Sequence, residues 1–261
     1  MIDSKQYRIL PMALIGLVGG LLSGLFGIGG GVIIVPALVL LLMMPQRLAA
    51  GTSVAAILPA AIVGAISYAV QGNVDWGAGI MLAIGIVVGS QLGSMLLAKL
   101  PVGFLQWLFL GFLLVIIVSL WFVVPQRDSV IEMTVLTGAM LILTGLITGI
   151  LSGLLGVGGG IIVVPILMFF FGANDLVAKG TSLLMMIPGS LSGTLANWKR
   201  KNVDLRAAAA VGIAASLASP LGSMIAVRLE PFWANVAFSA FLVFIFGQML
   251  FRKIKALRAE R

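Results

Sequence analysis

Cysteine and histidine are absent from this sequence of 261 residues, and charged residues make up only 9% of it. The chain therefore has no thiol nucleophile, no imidazole base and few of the ligands that transition metals prefer. Its 8 acidic residues fall in the termini, in expected loops or at the ends of apolar segments, so the segments contain no acid–base pair. We therefore predict that the protein is not an enzyme and needs neither a cofactor nor a metal.

Hydrophobic residues make up 61% of the chain, and apolar runs long enough to cross a bilayer recur along it. The runs are continuous rather than alternating, which predicts an all-α, polytopic membrane helical bundle. Five such segments, which we name A to E, fill the first half at residues 9–26, 32–44, 48–70, 76–98 and 102–124.

The net charge of +8 comes from 16 basic and 8 acidic residues. In a soluble protein this balance would suggest a nucleic-acid partner. Here the basic residues lie at the ends of apolar runs, where such residues control membrane topology. We therefore expect the lipid bilayer as a partner and no nucleic acid, in a multi-pass protein with both termini in the cytoplasm.

The second half of the chain repeats the first at a constant offset of 129 residues. Residues 16–36 align with residues 145–165 without a gap, and 14 of these 21 positions are identical. Further matches are Gly-Thr-Ser at 51–53 and 180–182 and Asn-Val-Asp at 73–75 and 202–204. We predict two homologous five-segment repeats, residues 1–129 and residues 130–261, the second with a basic C-terminal tail.

Whether the repeats are parallel or inverted depends on segments A and B. A helix over segment B would be about 20 Å long, too short for a hydrocarbon core of about 30 Å. If A and B together enter the membrane and leave on the same side, each repeat makes three crossings, and this odd number makes the repeats inverted. If A and B together make one crossing, each repeat makes four crossings, and this even number makes the repeats parallel. Residues 71–75 contain no basic residue, whereas the equivalent loop, residues 197–206, contains four. This difference favours inversion.

Each repeat contains the pattern Ser-Gly-Leu-x-Gly-x-Gly-Gly-Gly, at residues 23–31 and 152–160. Each glycine disfavours helix by about 1 kcal/mol relative to alanine, so three in a row predict a break. Broken backbone at membrane depth is tolerated where it is buried in protein or lines a cavity. Helices that restart after the breaks would point free N–H groups and positive dipole ends at that cavity. Two such ends, brought together by the duplication, would form an anion site near the bilayer midplane.

We therefore predict a substrate site made of the glycines of both breaks, nearby hydroxyl groups and one lysine. Gly-x-x-x-Gly pairs elsewhere in segment A fit close helix packing instead. The hydroxyls could also bond to their own helix backbone, and Lys179, where the first repeat has Ala50, could be a loop charge reaching the interface. The predicted site residues are Ser23, Gly29, Gly30, Gly31, Thr52, Ser53, Ser152, Gly158, Gly159, Gly160, Lys179, Thr181 and Ser182.

The two glycine stretches, each followed by a proline, and the Gly-Thr-Ser at residues 180–182 resemble the signature of the TauE/SafE sulfite exporter family, also called the toluene sulfonate uptake permease family. The likeness covers nearly the whole chain, including its duplication. It implies a transporter of the cytoplasmic (inner) membrane with seven or eight crossings. The substrates that it implies are small sulfur-containing anions such as sulfite, sulfoacetate and other organosulfonates.

We thus expect a secondary transporter that holds a small sulfur-containing anion between broken-helix N-termini. The alternatives are an anion channel with the same polar lining and a carrier of a small carboxylate without sulfur. Because no acidic residue lies in the middle of an apolar segment, proton coupling through a buried carboxylate is not expected. The coupling ion, Na+ or H+, and a homo-oligomeric state are left open.

Overall fold

The computed structural model describes residues 9–122, 131 and 133–259 of the chain. Within these residues the secondary structure is helical, which confirms the all-α prediction. The helices are α1 (Ile9–Phe26), α2 (Gly31–Leu41), α3 (Gln46–Val70), α4 (Trp76–Lys99), α5 (Val102–Phe122), α6 (Val135–Leu155), α7 (Gly160–Phe170), α8 (Asp175–Lys199), α9 (Leu205–Arg228) and α10 (Pro231–Ala259).

These helices correspond one to one with the ten predicted segments. α1 covers the same residues as segment A, and α4 starts at the predicted residue, Trp76. α2 and α7 have 11 residues each, about 16 Å of helix, so neither spans the hydrocarbon core. The predicted end of segment E at residue 124 and the repeat boundary at residues 129 and 130 lie outside the described residues.

Five of the described helices, α1, α3, α4, α6 and α9, are long and apolar enough to cross a membrane. Their outer faces carry exposed leucine, isoleucine and valine side chains, as lipid contact requires. The five tryptophans, which lie near helix ends, are each at least half exposed, consistent with aromatic belts at the two interfaces. The protein is therefore an integral multi-pass membrane protein.

Helices of the two repeats pack at very short distances because glycine replaces side chains at the contact. A β-carbon at Gly16 would collide with the carbonyl oxygen of Val211, and one at Gly24 with that of Ser219. Since both residue numbers increase together along the contact, α1 and α9 run in the same direction. The equivalent pair, α4 and α6, is joined in the same way through Gly85, Gly89, Gly93, Gly145, Gly149 and Gly153. The predicted role of the Gly-x-x-x-Gly spacing in helix packing is confirmed.

α3 and α8, the two copies of segment C, lie side by side and run in opposite directions. A β-carbon on Gly51, near the start of α3, would lie 3.3 Å from that of Asn197, near the end of α8. A β-carbon on Gly180, near the start of α8, would lie 2.8 Å from that of Tyr68, near the end of α3.

After the first glycine break the chain turns back along α1. A β-carbon on Gly30 would lie 2.6 Å from the carbonyl oxygen of Gly19, and one on Gly19 would lie 3.0 Å from Ile34. The start of α2 therefore packs beside the last turns of α1. In the second repeat, the equivalent contact joins Gly159 to Thr148. Each pair of A and B helices thus enters the bundle and returns, which places both breaks in its interior.

Candidate functional site: the paired glycine breaks

Each glycine break is a short stretch of left-handed backbone between two helices. In the first break Gly27, Gly29 and Gly30 have φ values of 69, 73 and 74°. The equivalent positions of the second break have φ values of 74, 85 and 89°. In this conformation a β-carbon approaches the neighbouring carbonyl group, so glycine is strongly preferred. The predicted interruptions of both helices are confirmed.

The two breaks lie in direct contact with each other. A β-carbon on Gly31, the first residue of α2, would lie 2.5 Å from the carbonyl oxygen of Gly156 in the other break. A β-carbon on Gly160, the first residue of α7, would collide with the carbonyl oxygen of Gly27. The backbone of each helix start therefore touches the opposite break, as expected for two related copies facing one another.

The start of α2 has backbone donors without acceptors. The amides of Ile33 and Ile34 donate to the carbonyl of Gly30, at 3.0 and 2.9 Å. Among the residues that the structure describes, no hydrogen-bond acceptor is found for the amides of Gly31 and Val32. The start of α7 is built in the same way on the carbonyl of Gly159. Free amides and the positive end of the helix dipole make such a terminus suited to an anion.

Two apolar side chains fill the space beside these termini. Ile57 of α3 and Met186 of α8 occupy equivalent positions in the two repeats, and both are fully buried. A β-carbon on Gly29 would lie 2.6 Å from the sulfur of Met186, and one on Gly158 would lie 2.8 Å from Ile57. The glycines of both breaks are therefore packed against hydrocarbon at the centre of the bundle.

The serines of the Gly-Thr-Ser motifs tie each break to the other repeat. The hydroxyl of Ser53 donates to the carbonyl of Gly156 at 2.7 Å, and that of Ser182 donates to the carbonyl of Gly27. Ser182 also lies 3.0 Å from the carbonyl of Lys179 in its own helix. All these groups are buried, so each bond satisfies a carbonyl that the broken helix leaves without a partner.

The threonines of the same motifs hold a loop of the opposite repeat. The hydroxyl oxygen of Thr52 accepts from the amide of Asp204 at 3.0 Å, and that of Thr181 accepts from the amide of Asp75 at 2.9 Å. The preceding glycine in each motif lets the carbonyl of an asparagine, Asn202 or Asn73, approach the helix backbone. The sequence analysis identified both motifs but did not predict that they pair, because their shared offset reports the duplication and not the contact.

Three buried hydroxyls lie near the breaks without a hydrogen-bond partner among the described residues: Ser23, Thr148 and Ser219. Ser23 belongs to the predicted site, and its equivalent Ser152 is also buried. Thr148 was missed because the first repeat has glycine at its position. Each hydroxyl can rotate to donate or accept, so these side chains add polar groups to an otherwise apolar interior.

Lys179 is buried and paired, so its interpretation as a loop charge reaching the interface is wrong. It lies in the second turn of α8, where its ammonium group is 3.2 Å from the carboxylate of Asp175. Its backbone packs against Gly27 of the first break. The first repeat has Gln46 and Ala50 at the two equivalent positions, so the ion pair breaks the symmetry of the site.

The burial of Asp175 also corrects the expectation drawn from the acidic residues. Asp175 begins α8, as a position at a segment end predicts, yet it is only 1% exposed. The start of α8 therefore lies inside the protein. A buried carboxylate therefore exists beside one break; the i, i+4 spacing of Asp175 and Lys179 predicts their pairing but not their burial.

The structure thus gathers most of the predicted residues around one centre. The glycines of both breaks, Ser53, Ser182 and Lys179 lie in contact there, and Ser23 and Ser152 lie in the last turns of α1 and α6. Thr52 and Thr181 lie beside it and hold loops. The described residues include no group of three or more acidic side chains able to hold a metal ion.

Comparisons with known proteins identify relatives along nearly the whole chain. The family model described as sulfite exporter TauE/SafE matches residues 2–127 and 141–261. The probable membrane transporter protein YdhB of Bacillus subtilis is 29% identical, over 71% of this chain and 75% of its own. The probable membrane transporter protein YunE of the same organism is 26% identical, over 93% and 97%. A probable membrane transporter protein of Haemophilus influenzae is 30% identical, over 91% and 96%. No solved structure matches the chain.

Proposed function

The chain belongs to the sulfite exporter TauE/SafE family and is a membrane transporter; from that premise we propose that it is a secondary carrier for small sulfur-containing anions. Sulfite, sulfoacetate and other organosulfonates are the substrate class. The sulfur chemistry rests on the family description, whereas the preference for an anion rests on the residues of this chain.

The contact between the two helix N-termini carries the proposal. The amides of Gly31 and Val32 and those of Gly160 and Ile161 supply up to four donors without a backbone acceptor in the described structure. A sulfite or sulfonate group presents three oxygens, so it can accept from both ends together. Backbone donors and helix dipoles favour the anion through partial charges that stay in place while it binds and leaves.

We propose that the repeats are inverted. The antiparallel packing of α3 against α8 supports this, because parallel repeats would place the two copies of segment C in the same direction. The return of α2 along α1 supports it as well, since it leaves three crossings in each repeat. Inversion lets one repeat move against the other around a site that lies between them.

Transport in this scheme needs Ile57 and Met186 to part from the breaks. While both side chains are in place, hydrocarbon covers the free amides. If one repeat moves against the other, the side chain on one side withdraws and opens the amides to that side only. Ser53 and Ser182 position the breaks in the closed arrangement, and their hydroxyls become available to the anion when the break shifts.

Lys179 places a fixed positive charge beside the breaks. In the closed arrangement Asp175 neutralises it, so the buried pair has no net charge. An entering anion can replace Asp175 as the partner of Lys179. A cation, H+ or Na+, that then neutralises Asp175 would couple its own movement to that of the anion.

A counterflow experiment in proteoliposomes tests the carrier. Vesicles are preloaded with unlabelled sulfite, sulfoacetate, sulfate or acetate, and uptake of radiolabelled sulfite is followed with and without pH and sodium gradients. We expect saturable uptake that is accelerated by internal sulfite or sulfoacetate and not by acetate. Gly30→Leu and Gly159→Leu are expected to abolish it, whereas Gly111→Leu, at a position with nothing within 4 Å of a β-carbon, serves as the matched control.

The same assay separates the alternatives. Flux that rises linearly with concentration and shows no counterflow would identify a channel. Acceleration by acetate alone would identify a carboxylate carrier. Unchanged uptake in both glycine variants would refute the assignment of the site, whatever the substrate.

A further inference from the structure

A second site of interest lies away from the glycine breaks, where the ends of α2 and α10 meet the starts of α3 and α5. A cavity of about 270 Å³ opens there. Leu40, Leu110 and Met249 form part of its apolar wall, and Gln46, Gln106 and Lys253 supply polar groups. A pocket that combines a hydrocarbon wall with one cation suits an anion attached to an apolar group.

The polar groups of this cavity are incompletely used within the protein. Lys253 donates to the side-chain oxygen of Gln106 at 2.7 Å, and no carboxylate pairs with it in the part of the chain that the structure describes. Gln46 is only 6% exposed, and none of the described residues donates a hydrogen bond to its side-chain oxygen. A buried amide oxygen without a donor is costly, so a ligand with a hydroxyl or amino group would satisfy it.

The backbone at the rim of the cavity is strained. Met43 lines the cavity with a φ of 54°, in the left-handed region. The second repeat has Gly172 at the equivalent position, with a φ of 65°. Met43 therefore carries a side chain at a left-handed position where the other repeat has glycine. Backbone strain of this kind concentrates at ligand sites.

The charge of this cavity has no counterpart in the other repeat. Val124 occupies the position equivalent to Lys253. On the side where the cavity lies, Arg47 donates to the carbonyl of Leu100, and Lys99 ends α4. A membrane face rich in lysine and arginine attracts anionic lipids.

We propose that this cavity binds one anionic phospholipid from the adjacent leaflet. The lipid phosphate takes Lys253 as its partner, a headgroup hydroxyl donates to the side-chain oxygen of Gln46, and an acyl chain lies along Leu40, Leu110 and Met249. The hydrocarbon wall favours a lipid over a free small anion, and the oxygen of Gln46 favours a headgroup that carries a donor. The lipid would join α10 of one repeat to α2 and α5 of the other.

Native mass spectrometry of the full chain in detergent tests this site. Phosphatidylglycerol is compared with phosphatidylmethanol of the same acyl chains, which has the same charge but no hydroxyl donor. The titrations are made in about 0.5 M ammonium acetate, where general surface attraction is largely screened. We expect one tightly held phosphatidylglycerol, bound roughly five-fold better than phosphatidylmethanol because of one additional hydrogen bond.

Variants assign the binding to the cavity. Lys253→Gln is expected to weaken phosphatidylglycerol about ten-fold or more, whereas Lys255→Gln, two residues away on the same helix, leaves it unchanged. Gln46→Leu is expected to abolish the preference over phosphatidylmethanol. Equal losses in the two lysine variants, equal affinity of the wild type for the two lipids, or competition by soluble glycerol phosphate at equimolar concentration would each overturn the proposal. The comparison of the two lipids needs only the wild-type protein, so it stands even if a variant fails to fold.

Discussion

Replacing Gly31 with alanine tests whether the two breaks must touch. Gly31 has ordinary helical backbone, so the substitution brings no strain from a left-handed φ. Its β-carbon, however, would lie 2.5 Å from the carbonyl oxygen of Gly156 and 2.6 Å from that of Val157. Because backbone on both sides forms the contact, no flexible side chain can move aside. Overpacking of this kind costs about 1–3 kcal/mol.

The assay compares Gly31→Ala with Gly111→Ala. Gly111 lies in α5 with nothing within 4 Å of a β-carbon, so alanine there is neutral or stabilises the helix by up to about 1 kcal/mol. We expect Gly31→Ala to lower the melting temperature in detergent by roughly 4–8 °C, the shift that about 2 kcal/mol gives for a chain of this size. Counterflow should fall at least ten-fold in Gly31→Ala alone. If the two variants have the same melting temperature and the same counterflow, the contact between the breaks is not required and the account fails.

Three further predictions concern the buried ion pair, the serine ties and one strained residue, all measured by thermal unfolding in detergent. Lys179→Ala alone leaves the carboxylate of Asp175 unpaired and should cost about 3–5 kcal/mol, whereas the double variant Asp175→Gln/Lys179→Ala, which installs the residues of the first repeat, should recover most of that stability. Ser53→Ala should cost about 1–3 kcal/mol because a buried carbonyl loses its donor, while Ser67→Ala, which breaks a bond within its own helix, should cost less. Lys201→Gly should raise stability by roughly 0.5–1 kcal/mol, because its φ of 60° suits glycine.

Each of these predictions has an outcome that contradicts it. If the double variant is less stable than Lys179→Ala, glutamine and alanine, the residues of the first repeat, cannot replace the ion pair at these positions of the second repeat. If Ser53→Ala and Ser67→Ala lose the same stability, the hydrogen bond from Ser53 to the opposite break contributes no more than a bond within one helix. A lower melting temperature for Lys201→Gly would show that its side chain contributes more than the strain removes.

The helices and their interruptions could be predicted from local patterns. Apolar runs bounded by polar residues defined the segments, and α1 has the bounds expected for segment A. Consecutive glycines predicted the breaks because their effect on helix is local. The packing role of Gly20 and Gly24 could be predicted from their spacing alone, since residues four apart lie on one helix face.

Contacts between distant parts of the chain were harder to predict. The pairing of Thr52 with the loop at Asp204 depends on which helices become neighbours, and sequence spacing alone does not determine that. The burial of Asp175 depends on how the start of α8 packs against the rest of the bundle, which the position of a residue at a segment end does not specify. The apolar pair of Ile57 and Met186 was missed because an isoleucine and a methionine in an apolar segment have no distinguishing signal.

The most direct test of the account is to locate a bound anion. A crystal of the protein soaked with selenite, an analogue of sulfite, would be measured at the selenium absorption edge. The account predicts an anomalous peak within hydrogen-bond distance of the amides of Gly31 and Gly160, with Ile57 or Met186 displaced. A selenite peak found elsewhere in a crystal whose glycine breaks remain covered by both side chains would contradict it.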